Sequence, residues 1–216
     1  MIKACVFDID GTLLYTITNI TYFVNKTLVR YGLEPIVVEL CMALVGKGAR
    51  NLIGKILDMR GVVDEEVREK FLAEYLHDYD ADPNYLVTIY DGISELLTEL
   101  KSRGIRLAVL SNKPQPATTL SIDTFFPGVF EFAFGGREGY PLKPASDSAD
   151  TLLENLGVRA DEIAFIGDSE IDVYTAKNIG AGVGIAVTWG YRTHEQLSEA
   201  GALNFANTPS DVIKFI

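Results

Sequence analysis

Apolar residues fall along this chain in two kinds of pattern. Five short runs are apolar at nearly every position: Ala4–Asp8, Leu107–Asn112, Phe130–Phe134, Ile163–Asp168 and Val183–Thr188. Short, continuous apolar runs predict parallel strands covered on both faces. Elsewhere the spacing turns helical. "DGISELLTELKSRG" runs to Gly104 ahead of the second strand, "KPASDSADTLLENLG" to Gly157 and "DSEIDVYTAKNIG" to Gly180. Glycine suits the residue just past a helix, and Pro144 suits a first helical turn. Strands alternating with helices predict an α/β fold built on a doubly wound, Rossmann-like parallel sheet.

The first crossover breaks this rhythm. About 100 residues separate the first two strands, where a βαβ unit takes roughly 30 in all. "NITYFVNKTLVRYG", "VVELCMALV", "ARNLIGKILDMRG" and "DEEVREKFLAEYLHDY" read as four helices, and "DADPNY" (80–85) as the return linker, broken at Pro83. The expectation is an all-helical domain over 15–85, inserted into a core formed by 1–14 and 86–216. The alternative is one long crossover lying against the sheet edge.

Composition narrows the function. The chain has 216 residues, 48% of them hydrophobic, enough for a real core. Its formal net charge is −11, which argues against nucleic acid as a partner and opposes long-range steering of an anionic substrate. An anionic substrate would need lysines and a metal to reverse the sign locally. Cys5 and Cys41 sit in apolar surroundings, so a disulfide framework is not expected. The first residues lack the features of a signal peptide, and no apolar stretch is long enough to cross a bilayer. The expectation is a cytoplasmic protein with no membrane partner. No heptad seam is present, leaving monomer and homodimer both open.

Ligands of an open α/β sheet bind beyond the carboxyl ends of its strands. There the sequence puts Asp8 and Asp10 after the first strand, and Ser111, Asn112 and Lys113 at the end of the second. Lys143 follows the third, and Asp168 and Asp172 follow the fourth. A strand ending in unpaired acids is costly unless a cation or donors meet them. Asp8 and Asp168, with Asp172 as a further candidate, could hold Mg2+, which favours a few carboxylates, waters and a substrate phosphate. An N-cap role would explain Asp168 alone, but not the pair at Asp8 and Asp10. Backbone N–H groups at Ile9, Gly11 and after Ser111, the Ser111 hydroxyl and the Lys143 ammonium suit a phosphoryl group. His77 and His194 lack partners at zinc-ligand spacing. "GKGARNLIGKI" is no Walker A loop, "GAGVG" precedes a strand instead of following one, and no nucleophile elbow is present.

"DIDGTLL" (8–14), "SNKP" (111–114), Lys143 in "PLKP" and "GDSEID" (167–172) together resemble the four motifs of the haloacid dehalogenase-like hydrolase superfamily, in order and across the whole chain. The acid at position 10 resembles its phosphatase and phosphomutase branches, and the helical insert resembles the C1 cap. "VGKGARNLI" (45–53) and "VTWGYR" (187–192) are similar to the phosphoglycolate phosphatases, with Lys47 where that group usually has Asn.

The resemblance implies a Mg2+-dependent hydrolase of a small phosphomonoester, with 2-phosphoglycolate as the leading candidate. Asp8 would be the nucleophile forming an aspartyl-phosphate, and Asp10 the acid and then the base. Mg2+ would be held by Asp8, the Asp10 backbone carbonyl, Asp168 and Asp172. Gly11, Thr12, Ser111, Asn112 and Lys143 would form the phosphate cradle. In the cap, Gly46, Lys47, Gly48 and Arg50 would set specificity, with Lys47 or Arg50 meeting a substrate carboxylate. A pyrophosphatase, a nucleotidase and a sugar-phosphate phosphatase or phosphomutase remain open within the superfamily. A receiver-like phospho-accepting module is the alternative from another class.

Overall fold

The computed structural model describes residues 1–216. Its strands are β1 (Ala4–Phe7), β2 (Leu14–Tyr15), β3 (Thr88–Ile89), β4 (Arg106–Pro114), β5 (Phe132–Gly136), β6 (Ile163–Gly167), β7 (Val183–Val187) and β8 (Asn204–Ala206). Its helices are α1 (Ile17–Arg30), α2 (Val38–Leu44), α3 (Ala49–Met59), α4 (Glu65–Ala81), α5 (Ile93–Ser102), α6 (Gln115–Phe125), α7 (Asp147–Leu156), α8 (Glu170–Asn178) and α9 (His194–Glu199). None is long and apolar enough to cross a membrane.

Six strands form one parallel sheet in the order β5-β4-β1-β6-β7-β8. The chain builds outward from β1 on one side, then returns to build outward on the other. The switch point therefore lies where β1 meets β4 and β6. Both faces are covered, which is why the strands read as unbroken apolar runs. Cys5, Phe7, Leu107, Val109, Ala164 and Ile166 face α5 and the Ile122 end of α6. Ala4, Val6, Ala108, Leu110, Ile163 and Phe165 alternate with them and face α7 and α8.

Helices α1–α4 gather around a separate apolar cluster containing Leu28, Ile56 and Phe71. The Asp64 carboxylate caps α4 by accepting from the Glu66 and Val67 N–H groups at 2.9 and 3.2 Å. The chain enters and leaves this helical insert through β2 and β3, which pair antiparallel as a two-stranded ribbon. Just before β3, Leu86 takes φ 58°, a left-handed conformation rare for a bulky residue.

Several expectations shift. The third strand starts at Phe132 rather than Phe130. Pro144 lies outside α7, which begins at Asp147 instead of within the "KPAS" stretch. α6, α9, the edge strand β8 and the β2–β3 ribbon were not individually placed by the sequence reading; α9, β8 and the ribbon are short elements held mainly by their neighbours.

The insert's core makes a direct prediction. Leu28→Ala, at a site with no exposure, is expected to lower unfolding stability by about 2–5 kcal/mol. Val29→Ala next to it, 62% exposed, should change stability by less than about 0.5 kcal/mol. Chemical denaturation of both variants measures the contrast.

Candidate active site

The switch point brings three carboxylates together. Ligand oxygens of Asp8, Asp168 and Asp172 lie within 4.8 Å of one another, and all three residues are buried. One buried cation sits among them: Lys143 Nζ is 2.9 Å from Asp8 Oδ1 and 2.7 Å from Asp172 Oδ1. Lys143 is carried there by the loop after β5. Asn112 fixes that loop, its Oδ1 accepting from the Lys143 N–H at 2.8 Å and its Nδ2 donating to the Lys143 carbonyl at 3.0 Å.

Asp168 is oriented by two donors, Tyr191 N–H at 2.7 Å and Thr12 Oγ1 at 3.3 Å. Two glycines make room for it. At Gly11, with φ 89°, and at Gly190, an added Cβ would run into the Asp168 side chain. Asp172 closes a capping box at the start of α8: its Oδ2 accepts from Ser169 N–H at 3.1 Å and Ser169 Oγ at 2.6 Å.

Burial and mutual repulsion set the electrostatics. Burial, opposed by Lys143 and reinforced by Asp172 and Asp10, pushes the Asp8 carboxyl up to about 6. Burial first, then the neighbouring acids, hold the Asp168 carboxyl well above its ordinary range. Two paired acids hold the Lys143 ammonium firmly protonated, against the pull of burial. With all three acids ionised, the cluster carries two uncompensated negative charges. Asp8 Oδ1 also accepts no hydrogen bond, the nearby Lys143 being misaligned for one. A hard divalent cation meets both needs, so the residues present fit Mg2+.

Above the cluster lies a cavity of about 50 Å³, between the sheet rim and the helical insert. Asp8, Asp10, Ser111, Lys113 and Lys143 line it from the core; Ile20, Gly46, Gly48, Leu52, Tyr75 and Tyr79 line it from the insert. The β4 register shifts between Leu110 and Pro114, an irregularity of the kind that re-aims side chains beside a site.

The expected cradle divides on inspection. Ser111 and Lys143 line the cavity. The Gly11 N–H already donates to the Leu14 carbonyl at 2.9 Å, so Gly11 serves by being small. Thr12 has no exposure and points its hydroxyl at Asp168. Asn112 reaches the rim, but its amide is engaged with Lys143 and with the Gly46 carbonyl, 2.9 Å away. In the insert, Gly46 and Gly48 line the cavity, whereas Lys47 and Arg50 do not. Lys47 is exposed. Arg50, with a side chain 70% exposed, pairs with Glu69 on the outer surface.

Other residues at the site carried no assigned role in the sequence reading. Lys113, whose side chain has no exposure, lies 3.3 Å from Asp10 Oδ1 and contacts the Tyr79 hydroxyl. Arg192 reaches from the loop after β7 to Glu170 at 2.9 Å and to the carbonyls of Met42 and Val45 at 2.7 and 2.8 Å. Trp189 Nε1 donates to the Thr12 carbonyl at 3.0 Å, and the Tyr191 hydroxyl lies 2.9 Å from the Thr16 N–H and hydroxyl. Trp189, Tyr191 and Arg192 lie in "VTWGYR", noted in the sequence only for its resemblance; Tyr75 and Tyr79 have ordinary helix-core spacing, and Lys113 sits at a strand end like any rim lysine.

Comparisons with known proteins agree with this geometry. Residues 5–186 match the family described as haloacid dehalogenase-like hydrolase. The phosphoglycolate phosphatase of Rhodospirillum rubrum is 35% identical over 209 residues, covering 94% of this chain and 86% of that protein. The phosphoglycolate phosphatase of Aquifex aeolicus is 28% identical, covering 99% and 96%. A crystal structure from Lactobacillus delbrueckii subsp. bulgaricus, provisionally named a phosphoglycolate phosphatase, superposes with a TM-score of 0.94 at 30% identity, covering 99% of this chain and 98% of the other.

The crowded acids predict how stability varies with pH. The folded state holds the Asp8 proton more tightly than the unfolded chain does, its carboxyl being raised from 3.8 to about 6. The stability this contributes is complete below the unfolded value and is lost as pH rises through about 6. Thermal melts in chelator should therefore show Tm falling across that window. Mg2+ should restore Tm most strongly above it and least below it. Asp168→Asn should raise the chelator Tm at neutral pH and remove the Mg2+ shift. A Mg2+ shift independent of pH would contradict this account.

Proposed function

Since the chain belongs to the haloacid dehalogenase-like hydrolase family, we propose that it is a Mg2+-dependent phosphatase of small phosphomonoesters, acting through an aspartyl-phosphate on Asp8, with 2-phosphoglycolate as its substrate. One observation carries the chemistry: Asp8, held by Lys143 within the acid cluster, lines the floor of a small cavity beside Asp10. The names of the relatives at 28–35% identity support the choice of substrate. The cavity's small size suits a short leaving group.

Asp8, Asp168 and Asp172, with the Asp10 carbonyl, would hold Mg2+. When bound, the ion offsets the repulsion between an anionic carboxylate and an anionic phosphoryl group. Asp8 attacks phosphorus, the bond to the ester oxygen breaks, and Asp10 gives its proton to the departing oxygen. Water then attacks the phosphorus of the aspartyl-phosphate. Asp10 takes the water's proton, the bond between phosphorus and the Asp8 oxygen breaks, and inorganic phosphate leaves. Lys143 positions Asp8 throughout and, with Ser111, binds the transferring group. Cover from the insert keeps bulk water out during the first step.

Phosphate release from 2-phosphoglycolate, pyrophosphate, nucleoside monophosphates and hexose phosphates, in Mg2+ and in chelator, tests this reading. Metal-dependent turnover that prefers 2-phosphoglycolate is expected; preference for another ester would retain the chemistry and discard the substrate. Asp10→Asn should lower kcat by about 10²–10⁴ while the Mg2+ thermal shift survives. Undiminished turnover would remove Asp10 from the mechanism.

A further inference from the structure

Three cations line the cavity: Lys143, Arg192 and Lys113. Two are already committed. Lys143 lies against two carboxylates at 2.9 and 2.7 Å. Each of the three Arg192 nitrogens donates to a protein oxygen, in Glu170, Met42 or Val45. Lys113 differs. Its ammonium has one carboxylate partner, Asp10 at the long distance of 3.3 Å, and one neutral partner, the Tyr79 hydroxyl. A lysine ammonium has three donors, so these two partners leave one unpaired at the cavity wall, which Lys113 helps to form.

Burial makes that vacancy significant. The Lys113 side chain has no exposure; Asp10 is its one carboxylate contact, Asp80 acts on it from farther off, and a buried charge is costly unless it is fully hydrogen-bonded. Its surroundings hold the ammonium in place: it lies 4.7 Å from the centre of the Tyr79 ring, a favourable cation–π distance. Its place beside Asp10 is also informative, because Asp10 marks where the leaving oxygen sits in the proposed reaction. A group borne on the leaving alcohol would extend from there toward Lys113 and the insert. The N-terminus of α3 lines the same cavity through Gly48 and Ala49, and no side chain caps it. A helix N-terminus favours negative charge as well.

We infer that Lys113, assisted by the open N-terminus of α3, recognises a carboxylate on the leaving group, making it the specificity-determining cation of this site. This role passes to Lys113 from Lys47 and Arg50, neither of which lines the cavity. The inference rests on the phosphatase reading above and narrows it to esters of small anionic alcohols.

The test compares 2-phosphoglycolate with its amide, an ester of nearly the same shape whose leaving group is uncharged, using the full chain in Mg2+. Wild type is expected to favour the acid in kcat/KM. Lys113→Met is expected to cut that preference by about 10- to 100-fold, the range for losing a hydrogen bond to a charged group. Lys113→Arg should recover part of it, and melting of each variant checks that it is folded. An equal fall on both esters would mean that Lys113 acts only by placing Asp10, overturning the inference. So would a wild type that treats the two esters alike. If wild type hydrolyses neither ester but turns over another phosphate compound, the substrate reading itself fails and the inference fails with it.

Discussion

The site is organised around one buried ion cluster, Lys143 held between Asp8 and Asp172 with Asp168 close by. Removing three carboxylates from water is expensive, and a single lysine offsets only part of the cost. Much of the surrounding fold can be understood as support for this arrangement. Gly11 and Gly190 let backbone close in on Asp168. Ser169 secures Asp172 through the helix cap, and Asn112 clamps the loop that delivers Lys143. The charge left over suits a divalent cation, and the crowding of the acids costs stability where no cation is bound.

A second layer of contacts joins the core to the helical insert. The segment after β7 takes part in both jobs. Its Tyr191 N–H orients Asp168, while the Tyr191 hydroxyl holds Thr16 at the entry to α1. Arg192, next along the chain, binds the Met42 carbonyl in α2 and the Val45 carbonyl just past its end. Asn112 likewise contacts Lys143 on the core and Gly46 on the insert. The acid cluster and the position of the insert therefore share the same few residues. Displacing the insert would break contacts one residue away from those that hold Asp168.

Much of this was legible in the sequence, for physical reasons. Strands buried on both faces leave continuous apolar runs, and polar residues ending those runs must lie at the sheet's carboxyl edge. That logic located Asp8, Asp10, Ser111, Lys143, Asp168 and Asp172. It could not assign individual donors. Gly11, Thr12 and Asn112 have the residue types of a phosphate cradle, yet neighbours already engage their N–H, hydroxyl and amide groups. Nor could helical periodicity decide which way Lys47 and Arg50 face. Lys47 lies in the turn before α3, outside any helical period, and Arg50 is drawn outward by Glu69 of α4. Short elements such as β8 and the β2–β3 pair carry too few residues for any period to register.

The β2–β3 ribbon has a consequence for the history and engineering of the chain. Because the outgoing and returning segments lie side by side and hydrogen-bonded, the whole helical insert hangs from the core at one narrow neck. Cutting that neck severs two adjacent strands and leaves the parallel sheet's pairings untouched. A short turn joining Leu14 to Ile89 would close the gap, since those residues are already partners across the ribbon. The core can thus be treated as a socket, and the insert as a module that could be exchanged for another of different size. A replacement module would have to meet Tyr191, Arg192 and Asn112 as the present insert does, since those residues also hold the acid cluster.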